Sequence, residues 1–272
     1  YPNMYIILVG AAGIGKGLVI KKVAAMLKYH KLVPVNGEKS EQDFDDLEHT
    51  VHVSGQKKKT LEPDPLLPVA ADATTYEALL RAMSEKSQRS IKVPKSELAP
   101  MGLYRHKSLC FCLEEISSLF QKHADKITNF LLVAFDCGDY DYETKTQGTD
   151  RLRKICLSFF GGTTPTFLQS TFDDKLLSDG FCARTVYVFE FANRFNRFDI
   201  PDLNDTQKAY RKDLLNHIKH LTTLYGQCHY TPEALAYLKQ YFEVDLHREG
   251  GRVNKSLKLD GYYVRKNIHI QK

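Results

Sequence analysis

The sequence lacks the features that would place it in a membrane or in the secretory pathway. No apolar run approaches the roughly 20 residues that cross a bilayer, and the N-terminus has no basic region followed by a long apolar stretch. The six cysteines are scattered, with no CxxC pair and no histidines at metal-site spacing, which favours reduced thiols over disulfides or a zinc site. We therefore expect a cytoplasmic protein with no membrane association.

The composition that is present describes a globular chain. Its 272 residues are 43% hydrophobic and 11% aromatic, enough for a substantial core. The net charge of +5 permits a polyanionic partner such as nucleic acid without requiring one. The first residue is not Met and an apolar segment begins almost at once, so we expect a fragment cut from a longer protein.

The most informative stretch is an apolar pentapeptide that runs into glycines. Residues 5–9 have no helical period and predict a buried strand, and apolar residues recur at helical spacing over 20–27. The turn between them has Gly10, four further residues, then Gly15 and Lys16, which is the P-loop pattern. This pattern predicts phosphate binding by backbone N–H groups at a helix start and by the lysine ammonium. The alternative is a glycine-rich turn that binds no ligand.

The residues predicted to bind ATP are consecutive: Gly10, Ala11, Ala12, Gly13, Ile14, Gly15, Lys16, Gly17 and Leu18. Gly17 departs from the pattern, because Ser or Thr normally stands there and places a hydroxyl on Mg²⁺. Lys16 is also predicted to be catalytic, because its positive charge would bind the β- and γ-phosphates.

A second apolar run ends in two carboxylates. Residues 108–113 predict a strand buried on both faces of a parallel sheet, and Glu114 and Glu115 follow it. Open α/β sheets bind ligands at this end of their strands. With a P-loop upstream, we predict that Glu114 holds Mg²⁺ through water and that Glu115 polarises the attacking water. The alternative is an exposed acidic pair that starts a helix, where the helix dipole favours it.

Later segments predict further strands. A hairpin is predicted from two alternating segments, 141–146 and 151–156, with 147–150 as the turn. Its second arm continues into 157–165, a strand that ends in hydroxyl residues. Arg184 stands just before the last clear strand, 185–189, and the sequence beyond Asn193 predicts helices.

In this order the motifs resemble the ATPase domain of primase-helicase proteins of phages and other mobile elements, which is similar to superfamily 3 helicases of the AAA+ class. The resemblance covers most of the chain. It is carried by 10–17 (Walker A), 72–75 with 77–79, 113–115 (Walker B), 160–165 (sensor 1), 179–184 (arginine finger) and 262–265. Glu114 departs from the family, which usually has Asp there.

The resemblance implies a homo-oligomer, a hexameric ring that hydrolyses ATP with Mg²⁺ between subunits and moves along single-stranded or forked DNA. It implies catalytic roles for Thr163 and Thr164 as sensor residues, and for Arg184 as a finger that acts on ATP held by the neighbouring subunit. The alternative for Arg184 is a surface arginine paired with Asp173 or Asp179.

The predicted hairpin occupies the place where related ring ATPases insert a DNA-contacting element. Lys145, Arg151 and Arg153 flank a small polar tip with no aromatic residue to stack on a base. We therefore predict electrostatic contact with DNA phosphates that is blind to sequence. The alternative is a solvated hairpin whose basic side chains balance its acids, which are Asp139, Asp141, Glu143 and Asp150.

These interpretations combine into one expectation for fold and function. We expect an α/β fold with a P-loop three-layer αβα parallel sheet and a hairpin insertion over residues 1–195, and a truncated helical region over 196–272. The expected function is the ATP-hydrolysing motor of a DNA replication helicase. The alternatives are a nucleoside monophosphate kinase, whose P-loop also carries Gly-Lys-Gly, and a nucleotide-binding scaffold with little hydrolysis. The acidic helix predicted at 44–51 offers no arginine-rich pocket for the kinase reading.

Overall fold

The computed structural model describes most of the chain. The described residues are 3–28, 67–70, 75–86, 88–97, 99–120, 124–144, 148–171, 180–192, 202–224, 226, 228–245, 262, 265, 266, 268 and 269. The predicted helix at 44–51 and Lys145 lie outside them. Within them the chain is α/β, built from seven strands and seven α-helices.

Five strands form the central sheet and two form a separate hairpin. In chain order the strands are β1 (Tyr5–Val9), β2 (Gln88–Lys92), β3 (Leu103–Leu113), β4 (Tyr140–Thr144), β5 (Gly148–Leu152), β6 (Ile155–Thr163) and β7 (Thr185–Phe189). The sheet order is β2-β3-β6-β1-β7, and β4 pairs with β5. Strands β1, β3, β6 and β7 are parallel, while β2 runs antiparallel to β3. Hence the four parallel strands end at one edge, here called the carboxyl edge, and begin at the opposite, amino edge.

The helices connect and cover these strands. They are α1 (Lys16–Leu27), α2 (Tyr76–Arg81), α3 (Ser117–Phe120), α4 (Ala124–Phe135), α5 (Pro165–Thr171), α6 (Asp205–Leu221) and α7 (Pro232–Gln240). Single π-helical turns continue α2 over Ala82–Lys86 and α7 over Tyr241–Asp245. A 3-10 turn, Cys182–Arg184, leads into β7. None of the helices in the described part of the chain is long and apolar enough to cross a bilayer.

Alternation along β1 places apolar side chains on both faces of the sheet. Tyr5, Ile7 and Val9 are buried in the larger core, which the aromatic and aliphatic residues of α2 and α4 complete. Leu8 contacts the smaller cluster formed by Ile20 and Ala24 of α1. The sheet therefore lies between helices, an arrangement consistent with the expected αβα layers.

Local sequence signals set several element ends. The N-cap of α2 is Thr75, whose hydroxyl accepts a hydrogen bond from the Ala78 N–H at 3.2 Å. Thr231 caps α7 in the same way, with a proline in the first turn. The strands predicted at 5–9 and 185–189 are confirmed.

The hairpin prediction is wrong in register. Residues 148–150, predicted as turn, belong to β5 and pair with 142–144 of β4. The second arm ends at Leu152 instead of running into the next strand, because Lys154 adopts a left-handed φ of 52° and separates β5 from β6. The Lys154 N–H donates to Asp139 Oδ1 at 2.9 Å, which fixes this break.

Candidate functional site

The turn between β1 and α1, residues 10–15, is named the glycine loop. Gly13 and Gly15 have φ angles of 80° and 94°, which strain any residue with a side chain. Gly10 is needed for space, since a Cβ there would lie 2.8 Å from the Glu190 carbonyl oxygen. The predicted glycines thus stand where a short strand-to-helix turn requires them.

Lys16 is the first residue of α1, and its side chain folds back over the glycine loop. Its Nζ donates to the carbonyl oxygens of Gly10 at 2.7 Å and Ala11 at 2.8 Å. The N-cap, Gly15, offers no side-chain hydrogen bond, and the first turn of α1 contains no acidic residue. The ammonium and the N–H groups of the helix start therefore give the loop a positive potential, which suits an anion such as phosphate.

Glu115 meets the end of the neighbouring strand. Its Oε1 accepts a hydrogen bond at 3.0 Å from the hydroxyl of Thr163, the fully buried last residue of β6. The carbonyl of the same threonine accepts from the Gly10 N–H at 3.2 Å, where the glycine loop begins. The structure thus brings together the glycine loop, Glu115 and Thr163 at the carboxyl edge.

Glu114 contacts α1. Its Oε1 lies 3.3 Å from Lys21 Nζ, and both side chains are about half exposed or more, at 47% and 66%. A Cβ built on Gly17 would lie 2.9 Å from Glu114 Oε2. The Glu114 backbone is equally close to β6, since a Cβ on Gly162 would lie 2.6 Å from its carbonyl oxygen.

Thr164 is arranged differently from Thr163, although both are predicted to be catalytic. The Thr164 hydroxyl accepts from the Phe167 N–H at 3.3 Å, and its carbonyl accepts from the Leu168 N–H at 3.2 Å. These bonds cap the start of α5. The contact with Glu115 belongs to Thr163, whereas Thr164 serves the helix.

Mg²⁺ fits the donors at this edge. In the described ranges no three His, Cys, Asp or Glu side chains converge as a metal cluster. Mg²⁺ does not require one, because it keeps several waters and is bound by one or two carboxylates plus substrate phosphates. Glu114, partly exposed beside the first turns of α1, would be one such carboxylate for a bound Mg²⁺.

Arg184 lies at the amino edge, away from the glycine loop. It pairs with Asp136 (Nη2 to Oδ2, 2.8 Å), donates from Nη1 to the Gly180 carbonyl at 3.2 Å, and has a side chain only 10% exposed. The predicted alternative partners, Asp173 and Asp179, lie outside the described residues. With a rise of about 3.3 Å per residue, β7 separates Arg184 from the level of the glycine loop by about 20 Å. Arg184 and the loop of the same chain are therefore not brought together.

A C-terminal arginine lies near the same pair. Burial and then the positive charge of Arg184 lower the pKa of Arg265, while Asp136 acts in the opposite sense. His269 Nε2 lies 2.9 Å from the Ala183 carbonyl oxygen. Arg265 and His269 thus lie at the amino edge, near Arg184 and Ala183.

The hairpin also lies at the amino edge, where β6 begins. Arg153 forms a two-pronged hydrogen-bonded ion pair with Asp141 and lies 3.7 Å from Asp139. The hydrogen bond from Arg153 lowers the pKa of the Asp141 carboxyl. Arg151 is exposed on β5. Of the two predicted DNA-binding arginines that are described, Arg153 is committed to acids of the hairpin, as the alternative reading expects.

Two residues that contact predicted site residues, Lys21 and Asp136, are not among the residues predicted from the sequence. Lys21 could have been found, because it lies four residues after Gly17 and so on the same side of α1. Asp136, the partner of Arg184, gives no sequence signal, because the two residues are 48 positions apart and meet only in the folded sheet.

No protein-family model matches the chain, and a search of curated proteins finds no significant match. The interpretation of this site therefore depends on its geometry and on the order of its motifs.

Proposed function

We propose that the chain is the ATP-hydrolysing motor domain of a DNA replication helicase of the primase-helicase type. One observation carries the hydrolytic part of this proposal. The glycine loop with Lys16, the Glu115–Thr163 pair and Glu114 gather at the carboxyl ends of β1, β6 and β3, three adjacent parallel strands. This is the edge at which open α/β sheets bind ligands.

Each group has a defined task in this proposal. Lys16 exchanges its two loop carbonyls for the β- and γ-phosphates, and the N–H groups at the start of α1 bind phosphate oxygens. The Thr163 hydroxyl holds one oxygen of Glu115, so that the other can accept a proton from the attacking water. When bound, Mg²⁺ would neutralise charge on the phosphate oxygens, with Glu114 as its protein carboxylate.

The DNA-dependent part rests on different support. It comes from the order of the motifs, from the net charge of +5 and from the exposed Arg151 on the hairpin. In the proposal the protein is a hexameric ring that binds single-stranded or forked DNA, with Arg184 acting on the ATP of the next subunit.

Turnover assays test the proposal against its alternatives. We expect phosphate release from ATP that single-stranded DNA stimulates, with no conversion of added AMP to ADP. Lys16→Ala should weaken ATP binding. Glu115→Gln should retain ATP while slowing hydrolysis by roughly 10² to 10⁴, the usual contribution of a positioned base. AMP phosphorylation would instead indicate a kinase, and tight binding without turnover would indicate a scaffold.

The Glu115–Thr163 contact gives a finer test. Thr163→Val should slow hydrolysis roughly fivefold, the rate equivalent of one hydrogen bond of about 1 kcal/mol. Thr166→Val is a matched control, since that hydroxyl residue is exposed on α5. Equal rates in the two variants would remove Thr163 from the proposed mechanism.

A further inference from the structure

The backbone conformation of Gly17 does not require glycine. Gly17 lies inside α1, and it is not among the glycines with positive φ. Glycine within a helix is destabilising relative to alanine, because it loses more backbone entropy on folding. What distinguishes glycine from alanine at this position is therefore the space that it leaves open.

That space is taken by Glu114. A Cβ on Gly17 would lie 2.9 Å from Oε2, 3.7 Å from Cδ and 3.8 Å from Cγ of this side chain. Lys21, one turn further along α1, holds the other carboxylate oxygen at 3.3 Å. The carboxylate thus lies across the first turns of α1, with Oε2 beside Gly17 and Oε1 beside the Lys21 ammonium.

Gly17 and Glu114 are also the two residues that depart from the P-loop and Walker B patterns. We propose that Gly17 is a positioning residue for Glu114, and that the Glu114 carboxylate serves Mg²⁺ in the place of the hydroxyl that a Ser or Thr at 17 would supply. A side chain at 17 would displace the carboxylate, and an Asp at 114 is one methylene shorter and would leave the place empty. This inference rests on the proposed function, since it assumes that nucleotide and metal bind here.

The proposal predicts that each single substitution is harmful and that the pair is not. The atom nearest to the added Cβ is the end of a flexible side chain, so Gly17→Ser should fold normally and only move Glu114. We expect Gly17→Ser and Glu114→Asp each to weaken metal binding roughly 10- to 100-fold, the usual cost of disturbing groups around a metal. Gly17→Ser combined with Glu114→Asp should restore affinity to within about threefold of the parent, because hydroxyl and shorter acid then fit together.

Separate measurements distinguish metal binding from nucleotide binding. Mn²⁺ binding is followed by electron paramagnetic resonance in the presence of a non-hydrolysable ATP analogue. Affinity for a fluorescent ATP analogue is measured in Mg²⁺ and in EDTA, and thermal unfolding checks the fold. Val19→Ser is the matched control, because it adds a hydroxyl two residues along the same turn of α1 and should leave Mn²⁺ affinity unchanged.

The outcomes distinguish this inference from the function beneath it. Analogue binding in EDTA that is equal in all variants, with Mn²⁺ affinity lost in the singles and recovered in the double variant, supports the inference. If Gly17→Ser leaves Mn²⁺ affinity unchanged, or if the double variant is no better than the worse single one, the inference fails while nucleotide binding stands. If the parent binds no ATP analogue in either buffer, the proposed function fails and the inference fails with it.

Discussion

The two edges of the central sheet use polar side chains in opposite ways. At the amino edge, Asn3 is fully buried and donates to the carbonyls of Ala134 and Phe135, both at 3.0 Å. At the carboxyl edge, the Lys16 ammonium donates to two carbonyls of the glycine loop, and the Glu114 side chain is 47% exposed. The same strands therefore join an edge where Asn3 serves folding to one where Lys16 and Glu114 can reach a ligand.

Substitution of Arg184 has the largest expected effect, on ATP turnover. It could break this comparison, because the proposed function gives Arg184 a catalytic role although it lies at the amino edge. Arg184→Ala should lower ATP turnover by roughly 10³ to 10⁵, the range for an arginine finger. Mixing these subunits with Lys16→Ala subunits should restore part of the activity, since some interfaces then pair an intact loop with an intact arginine. The measurement is phosphate release from mixed rings.

Asp136→Asn controls for the internal ion pair. It removes the partner of Arg184 but keeps the guanidinium, so it should lower the unfolding midpoint while retaining turnover. If mixed rings show no recovery, and Arg184→Ala behaves like Asp136→Asn, Arg184 is a structural residue whose pair with Asp136 serves folding.

Asn3→Ala is expected to have an effect of intermediate size, on stability, and it tests whether the two edges are independent. Asn3→Ala leaves two buried carbonyls without their side-chain donor, and should lower the free energy of unfolding by about 2 kcal/mol. Urea unfolding measures this loss. ATP affinity should stay at the parent value in buffer without denaturant, because the residue lies at the edge opposite the glycine loop; a matching drop in affinity would show that the edges are not independent.

The hairpin gives the smallest expected effect. Each phosphate contact to single-stranded DNA adds about 0.7 to the slope of log affinity against log salt. Arg151→Ala should flatten that slope by about 0.7 for each subunit engaged. Arg153→Ala is the matched control, because its guanidinium already pairs with Asp141 and Asp139, and it should leave the slope unchanged. Equal slopes in both variants and the parent would favour the solvated hairpin.

The sequence predicts well what local patterns determine. The strand 5–9 and the turn glycines depend on neighbouring residues, and the structure has them where expected. The caps Thr75 and Thr231 are equally local. The edge strand β2 was not predicted, because it is largely polar and pairs with a strand further along the chain.

The sequence fails where side chains distant along the chain decide the structure. The hairpin register depends on Asp139 accepting from Lys154, and the position of Glu114 depends on empty space at Gly17. Neither contact has a periodic or compositional signal. The predicted division at residues 195 and 196 stays a prediction, as do the roles in ATP and DNA binding.

Strand β6 has a mechanical consequence. It begins two residues after the hairpin and ends at Thr163, about 26 Å away at about 3.3 Å per residue. Hydrogen bonds to β3 and β1 flank it, and a slip by one residue would turn each of its side chains to the opposite face. Displacement at Thr163 therefore cannot travel to the hairpin as sliding of this strand, because sliding would break the hydrogen bonds to both of its neighbours.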